Sequence, residues 1–145
     1  MTFDRRARVL IADADPVVRR KLNQCLLDSE VFADCVADGK TALEALDASS
    51  YAVVVLDLAL PPGNAERILD LIAAMPASSR PVVLVLATRG AARSLDVEVV
   101  QIVLRKPCDL NQLSQIVESC VRSTADTRCT EPGTQPLPRR QQPIV

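Results

Sequence analysis

The residue with the clearest potential for chemistry is Asp57, a carboxylate at the end of a continuous apolar run. The run, Ala52 to Leu56, contains three β-branched valines, and a Pro-Pro-Gly turn follows at 61–63. A short run of this kind indicates a strand that is buried on both faces. Ligands of open parallel α/β sheets bind at the carboxyl ends of such strands, which favours a chemical role for Asp57. Aspartate after a strand is also common as a turn or capping residue, so Asp57 alone does not decide between the two.

Three further charged residues stand after other apolar runs. Asp13 and Asp15 follow the first run of the chain, and Lys106 follows a later run that ends at Leu104. Because the carboxyl ends of parallel strands lie at one edge of a sheet, we expect these three residues to converge with Asp57. Several converging charges are much less expected by chance than one aspartate. The spacing therefore predicts a functional site at this edge.

The composition is that of an ordinary globular domain. The chain has 145 residues, of which 48% are hydrophobic and 24% charged, with a net charge of −1. This is enough for one domain with a real core, and it provides no basic field for nucleic acid. The N-terminus has positive charge but no apolar signal segment, and no run reaches membrane-spanning length. We expect a cytoplasmic protein that binds neither nucleic acid nor membranes.

Cysteine and histidine usage excludes several kinds of site. The five cysteines are scattered without a CxxC pair, and histidine is absent. This argues against a disulfide framework and against zinc. The absence of histidine also excludes Ser-His-Asp and Cys-His nucleophile systems. Cys25 and Cys120 fall on apolar helix faces and are predicted to fill the core.

Apolar runs and helical stripes alternate along the chain. The predicted strands are 8–12, 31–37, 52–56, 82–86 and 99–104, and the predicted helices are 16–29, 41–46, 64–75 and 109–121. Asp15 and Asn64 are predicted N-caps, Asp38-Gly39 a turn, and 89–96 at most a short helix. The βαβ alternation predicts a doubly wound parallel sheet of five strands.

The composition changes from Ser123 onward, where prolines enter a polar run without apolar periodicity. Such a segment cannot bury enough apolar surface to offset its ordering entropy. We therefore predict a domain at 1–122 and a disordered tail at 123–145. The Pro-Leu-Pro-Arg-Arg sequence of the tail is also typical of peptide ligands, but a solvated tail is the favoured interpretation.

In combination, these motifs resemble the signatures of bacterial response-regulator receiver domains. The similarity rests on VLIAD ending at Asp13, DLALP beginning at Asp57 and the Lys-Pro pair at Lys106, and it covers residues 7–122. It implies a flavodoxin-like α/β/α fold in three layers and a non-enzymatic, single-domain regulator of a two-component phosphorelay. Asp57 would accept a phosphoryl group from a histidine kinase or phosphotransferase, and a downstream protein would be the target. We expect no output domain after 122, since the 23 residues that follow it are too few to fold one.

The resemblance also implies roles around Asp57. Asp13 and Asp57 would bind Mg²⁺ together with the backbone carbonyl of Ala59, and Lys106 would contact a phosphoryl oxygen. Mg²⁺ and Lys106 are both needed in such a site, because a carboxylate that attacks a phosphoryl group requires cations to neutralise the developing charge.

Two positions depart from the family pattern. Receivers usually carry a second acid at the position of Ala14, so weakened Mg²⁺ binding is predicted here, with Asp15 reaching the metal through a water. The family hydroxyl after the fourth strand aligns with Leu86 or Ala87, and Thr88 is the nearest hydroxyl and the candidate for its role.

Two alternatives remain. Val103 stands where the family has the switch aromatic of the fifth strand. The first alternative is therefore a pseudo-receiver, which keeps the fold and binds its partner without phosphorylation. Asp13-Ala-Asp15 also resembles the DxD motif of haloacid-dehalogenase-type phosphatases, in which Asp13 would be the nucleophile. That family needs a further acidic pair after the lysine, and it would leave Asp57 without a role, so it is the least favoured.

Overall fold

The structure, a computed structural model, describes residues 6–61, 64–88 and 98–129. Within these ranges strands and helices alternate. The strands are β1 Val9–Ala12, β2 Ala33–Val36, β3 Val53–Asp57, β4 Val82–Ala87 and β5 Val100–Arg105. The helices are α1 Pro16–Asp28, α2 Gly39–Ala48, α3 Asn64–Ala73 and α4 Leu110–Cys129, with a short 3-10 helix at Ala77–Ser79. No helix in this part of the chain is both long and apolar enough to cross a membrane.

The five strands form one parallel sheet in the order β2-β1-β3-β4-β5. In register, Ala12 lies beside Leu56 on the neighbouring strand, and Asp57 lies beside Leu86. The predicted doubly wound, flavodoxin-like fold is confirmed. All strands therefore end at the same edge of the sheet, where the charged residues were expected to meet.

Both faces of the central strands are buried, which explains their continuous apolar sequences. One face packs on α2 and α3 through residues such as Ala45, Ile68 and Ile72. The other face packs on α1 and α4 through residues such as Leu22 and Val117. Burying one such aliphatic side chain contributes roughly 1.5–3 kcal/mol, so the two layers together hold the sheet and its carboxyl edge in place.

Helix caps account for two of the observed element boundaries. The predicted N-cap Asp15 is confirmed, since its carboxylate accepts the Val17 N–H at 2.9 Å. Asp38, predicted to be in a turn, instead caps α2 by accepting the Thr41 N–H at 2.8 Å, so this helix begins at Gly39. A capping carboxylate satisfies a backbone donor that the first helical turn leaves unpaired.

At other boundaries the structure differs from the sequence prediction. Asn64 is the first residue of α3 rather than its cap, and the helix ends at Ala73 instead of Met75. Pro76 follows closely, and the residue before a proline is disfavoured in the helical conformation. Strand β2, predicted at 31–37, is limited to Ala33–Val36.

The last helix extends beyond its predicted end at 121. Helix α4 continues through Ser123 to Cys129, so the predicted boundary between domain and tail lies inside this helix. The Thr124 hydroxyl donates to the Cys120 carbonyl at 2.9 Å inside this helix. Each residue added to an existing helix gains one backbone hydrogen bond. No proline or glycine interrupts the sequence from Ser123 to the residue before Pro132. The remaining tail at 130–145, the weak helix at 89–96 and part of the loop at 61–63 lie outside the described residues.

We predict that Gly39→Ala destabilises the protein because of a close contact between α2 and α3. A Cβ atom at Gly39 would lie 2.5 Å from the Asn64 Cβ and 2.6 Å from its Cγ. Alanine normally favours a helix over glycine by about 1 kcal/mol. Here we expect overpacking to cost roughly 1–3 kcal/mol of unfolding free energy, measured by urea denaturation.

The control for this substitution is Lys40→Ala at the exposed next position of α2, which should change stability little. Asn64→Gly should relieve the cost of Gly39→Ala, whereas Asn64→Ala should not, because alanine keeps the Cβ atom. An equal cost in all backgrounds would show that the contact does not limit this position.

Candidate functional site

Three charged residues meet at the carboxyl edge of the sheet. Asp13 directly follows β1, and Asp57 ends the adjacent strand β3. Lys106 follows β5, and its backbone N–H donates to the Ala87 carbonyl at 2.9 Å. Because β4 lies between β3 and β5, the Lys106 side chain crosses the end of β4 to reach the carboxylates. Asp13 is fully buried, and Asp57 is only 2% exposed.

One ammonium group bridges the two carboxylates. Lys106 Nζ lies 2.9 Å from Asp13 Oδ2 and 3.2 Å from Asp57 Oδ2. The other oxygen of each carboxylate accepts a backbone N–H at 2.8 Å, from Asp15 to Asp13 Oδ1 and from Ala59 to Asp57 Oδ1. Both carboxylates are thus oriented through both of their oxygens. Buried charges require such partners, since each must replace the water it has lost.

The protonation equilibria reflect this shared partner. Burial raises the pKa of the Asp13 carboxyl and the charge of Asp57 adds to this, while the Asp15 N–H and Lys106 only partly offset it. Burial by itself would lower the pKa of Lys106, but the hydrogen bond and charge of Asp13, with the charge of Asp57, outweigh it and raise the pKa. Lys106 therefore stays a cation at neutral pH, and Asp13 holds its proton more tightly than an exposed aspartate.

The other predicted residues lie at the periphery of this cluster. The carboxylate of Asp15 caps α1, and it is the Asp15 backbone N–H that contacts Asp13. Ala59 contacts Asp57 through its N–H. Thr88 is exposed just beyond β4 and shares a cavity of about 340 Å³ with Lys106 and Leu86. The register places buried Leu86, not a hydroxyl, beside Asp57.

One contact at the site was missed by the sequence analysis. The guanidinium group of Arg19, on α1, donates to the backbone carbonyl of Asp13 at 2.7 Å. Arg19 occupies a polar position of an amphipathic helix, where an arginine usually faces solvent. The contact is to a main-chain atom, for which no residue pattern gives a signal.

The donor set around Lys106 fits a divalent cation that keeps most of its water. Mg²⁺ usually takes one or two carboxylates from a protein, with waters or phosphate oxygens filling the remaining positions. Asp13 and Asp57 supply two buried carboxylates whose Oδ2 atoms face one cation already. Ala14 is exposed and adds no side-chain oxygen. Across 6–61, 64–88 and 98–129, no group of three or more His, Cys, Asp and Glu side chains is arranged to hold a metal.

Comparison with known families identifies the domain. The profile of the response regulator receiver domain matches residues 9–118, from the first strand into the last helix. This match confirms the resemblance that the motifs at Asp13, Asp57 and Lys106 indicated. Among curated protein sequences, no match was found.

Solved structures share the fold. A signal receiver domain from Vibrio parahaemolyticus is 22% identical with a TM-score of 0.74, covering 87% of this chain and 98% of that one. A CheY-like receiver domain from Methylobacillus flagellatus is 24% identical with a TM-score of 0.63, covering 79% and 98%. The response regulator TrrA from Thermotoga maritima, solved in complex with Mg²⁺ and BeF, is 20% identical with a TM-score of 0.66, covering 79% and 98%. Identities this low establish a shared fold and leave the residue roles open.

We predict that Asp13→Asn becomes more favourable for stability as the pH rises. Because the pKa of Asp13 is raised above 3.8 in the folded protein, the unfolded chain loses this proton at a lower pH. The unfolding free energy of the native protein therefore falls as the pH rises from about 4 to the pKa of Asp13 in the folded protein. Asparagine does not titrate, so the variant lacks this decrease. Urea denaturation from about pH 3 to pH 7 should show the variant gaining unfolding free energy relative to the native protein.

Asp47→Asn, which removes one negative charge at an exposed position of α2, is the control. Its difference from the native protein should stay small over the same range. A difference for Asp13→Asn that is constant or falls with pH would contradict the raised pKa.

Proposed function

The chain belongs to the response regulator receiver domain family, and from this membership we propose that it accepts a phosphoryl group on Asp57 in a two-component phosphorelay. The observation that supports this assignment most is the placement of the Lys106 ammonium group, 3.2 Å from Asp57 Oδ2 and 2.9 Å from Asp13 Oδ2. A nucleophilic carboxylate, a second acid and a cation stand together at a sheet edge where ligands bind.

In the proposed reaction, Asp57 Oδ2 attacks the phosphorus atom of the donor. The bond from phosphorus to the donor breaks, the donor leaves with that electron pair, and an aspartyl phosphate forms. The Ala59 N–H holds Oδ1, so Oδ2 is the oxygen directed toward Lys106 and the incoming group. A carboxylate and a phosphoryl group repel each other, and a cation fixed beside the attacking oxygen lowers this cost in the transition state.

Lys106 has two roles in the proposed reaction. Before the reaction it balances the charges of Asp13 and Asp57, and it is held in place by both. During the reaction it stabilises the charge on a phosphoryl oxygen. Its raised pKa keeps it charged for both tasks at neutral pH.

Asp13 and Asp57 would hold Mg²⁺, with the Ala59 carbonyl as a backbone ligand and Asp15 acting through a water. When bound, the ion supplies positive charge that neutralises the phosphoryl oxygens. Ala14 gives no carboxylate, so we propose that the metal is held more weakly than a full acidic set would hold it.

Receiver domains are generally signalling modules that receive the phosphoryl group from a histidine kinase or phosphotransferase. We propose such a donor for this chain and a protein as its downstream target. We also propose Thr88 as the hydroxyl that approaches the phosphoryl group, since it follows β4 and lines a cavity with Lys106. Leu86 beside Asp57 offers no hydroxyl.

A pseudo-receiver is the second candidate function, and two positions favour it. Buried Leu86 stands where the family places a hydroxyl, and the 44% exposed Val103 stands where it places an aromatic side chain. Such a protein would bind its partner through its surface regardless of phosphorylation. The two candidates differ in whether Asp57 reacts at all.

We predict that incubation with acetyl phosphate and Mg²⁺ adds one phosphoryl group to the protein, detected by intact-mass measurement. Asp57→Asn should abolish the added mass, and the exposed control Asp47→Asn should retain it. A mass gain that survives Asp57→Asn would refute the assignment, and no gain in the native protein would favour the pseudo-receiver. Turnover of p-nitrophenyl phosphate that is lost in Asp13→Asn but not in Asp57→Asn would indicate a phosphatase instead.

We predict that Ala14→Asp strengthens the site and weakens the metal-free protein. The new carboxylate would add a ligand for Mg²⁺, so phosphorylation at low millimolar metal should accelerate. It would also crowd another negative charge against Asp13 and Asp57, which should lower the melting temperature in metal-free buffer.

The control is Ala77→Asp, which adds the same charge at an exposed position before β4, at the opposite edge of the sheet. It should change neither Mg²⁺ affinity nor the phosphorylation rate. If Ala14→Asp behaves in the same way as this control, residue 14 does not face Asp57.

A further inference from the structure

The side chain of Arg19 connects helix α1 to the strand end that carries Asp13. Its Nη1 atom donates to the Asp13 carbonyl at 2.7 Å, a short contact in keeping with a charged donor. Arg19 is half-buried, and its backbone N–H donates to the Asp15 carbonyl at 3.1 Å. The residue thus contacts both ends of the turn 13–15, between β1 and α1.

The polar groups of Asp13 contact four residues from different parts of the chain, three through hydrogen bonds and one through an ion pair. The backbone N–H donates to the Val36 carbonyl of β2 at 3.1 Å, and the carbonyl accepts from Arg19. Asp13 Oδ1 accepts the Asp15 N–H, and Oδ2 pairs with Lys106. Among these contacts, only that of Arg19 joins a helix side chain to the main chain of Asp13. It therefore helps to fix the backbone position from which the Asp13 carboxylate extends.

We infer that Arg19 is a positioning residue, which holds the turn 13–15 so that the Asp13 carboxylate faces Lys106, Asp57 and a divalent cation. This inference rests on the proposed metal-assisted reaction at Asp57. Arg19 contacts the carbonyl of Asp13 rather than its carboxylate, so it acts by placing the acid and not by neutralising it.

The position of the Asp13 carboxylate matters more in this chain than in a receiver domain with a second acid at the place of Ala14. Ala14 supplies no side-chain oxygen, so Asp13 is the acid of this turn that faces the site. A shift of its carboxylate would weaken both the ion pair and the metal ligand. Loss of a group that orients a metal ligand typically costs about 10–100-fold in metal affinity.

The test compares Arg19→Met, which keeps the aliphatic stem without the donor, with Arg19→Lys and with Arg20→Met. Arg20 is the exposed neighbour on the same helix, so Arg20→Met removes the same charge away from the Asp13 carbonyl. Two readouts are independent of phosphorylation. The first is the NMR shift of the Asp15 amide, which donates to Asp13 Oδ1 at 2.8 Å in the metal-free protein. The second is the affinity for Mn²⁺ alone, measured by electron paramagnetic resonance.

We expect Arg19→Met to move the Asp15 amide resonance and to lower Mn²⁺ affinity by about tenfold or more. Arg19→Lys should restore part of both, because lysine keeps a donor, and Arg20→Met should leave both unchanged. An Asp15 amide and a Mn²⁺ affinity that are unchanged in Arg19→Met, or changed equally in Arg20→Met, would overturn the inference. A lower melting temperature with both readouts unchanged would also overturn it, since it would show a merely structural role.

These outcomes separate the inference from the proposed function. A native protein that binds Mn²⁺ but gains no phosphoryl mass refutes the proposed function, while the Arg19→Met readouts still decide the role of Arg19. If the native protein binds no Mn²⁺, the Asp15 amide alone decides whether Arg19 positions Asp13.

Discussion

The site depends on one cation shared by two buried carboxylates. Asp13 directly follows β1 and Asp57 ends the neighbouring β3, where both are nearly inaccessible to water and close enough to share one ammonium group. Two such carboxylates repel each other, and burial adds a desolvation cost to each. Lys106 offsets this only in part, as the raised pKa of Asp13 indicates. The cluster keeps an excess of negative charge, which makes it receptive to a further cation.

The architecture supplies what this cluster needs. Helices on both faces bury β1 and β3, so the carboxylates at their ends lie in a region from which water is largely excluded. The strand order places β3 between β1 and β4, at the point where the chain changes direction across the sheet, and ligand sites form at such points. Lys106 directly follows β5, and its backbone N–H donates to the Ala87 carbonyl at the end of β4. The sheet and the cluster therefore depend on the same packing.

Much of this arrangement follows from the sequence, because apolar runs with a charged residue at their end predict both a parallel sheet and the edge at which charges meet. Asp13, Asp57 and Lys106 could be placed together for this reason, and Asp15 could be recognised as a helix cap.

Other features of the structure could not be predicted from the sequence. The end of α4 has no apolar stripe beyond Val121, so nothing in the pattern marks its extension to Cys129. The choice between Leu86 and Ala87 beside Asp57 required the strand register. The contact from Arg19 is made to a backbone atom, which leaves no trace in residue types.

The most direct test of the central claim is the unfolding free energy of Lys106→Met, measured by urea denaturation at pH 7 in two backgrounds. One is the native chain, and the other carries Asp13→Asn and Asp57→Asn together. If Lys106 stabilises the fold by balancing these carboxylates, its loss should cost roughly 2–3 kcal/mol in the native chain, somewhat below the cost for a fully buried pair. Most of this cost should vanish in the neutral background, because there is no charge left to balance. An equal cost in both backgrounds would show that Lys106 acts through packing alone, and the account of the site as a single charge cluster would be wrong.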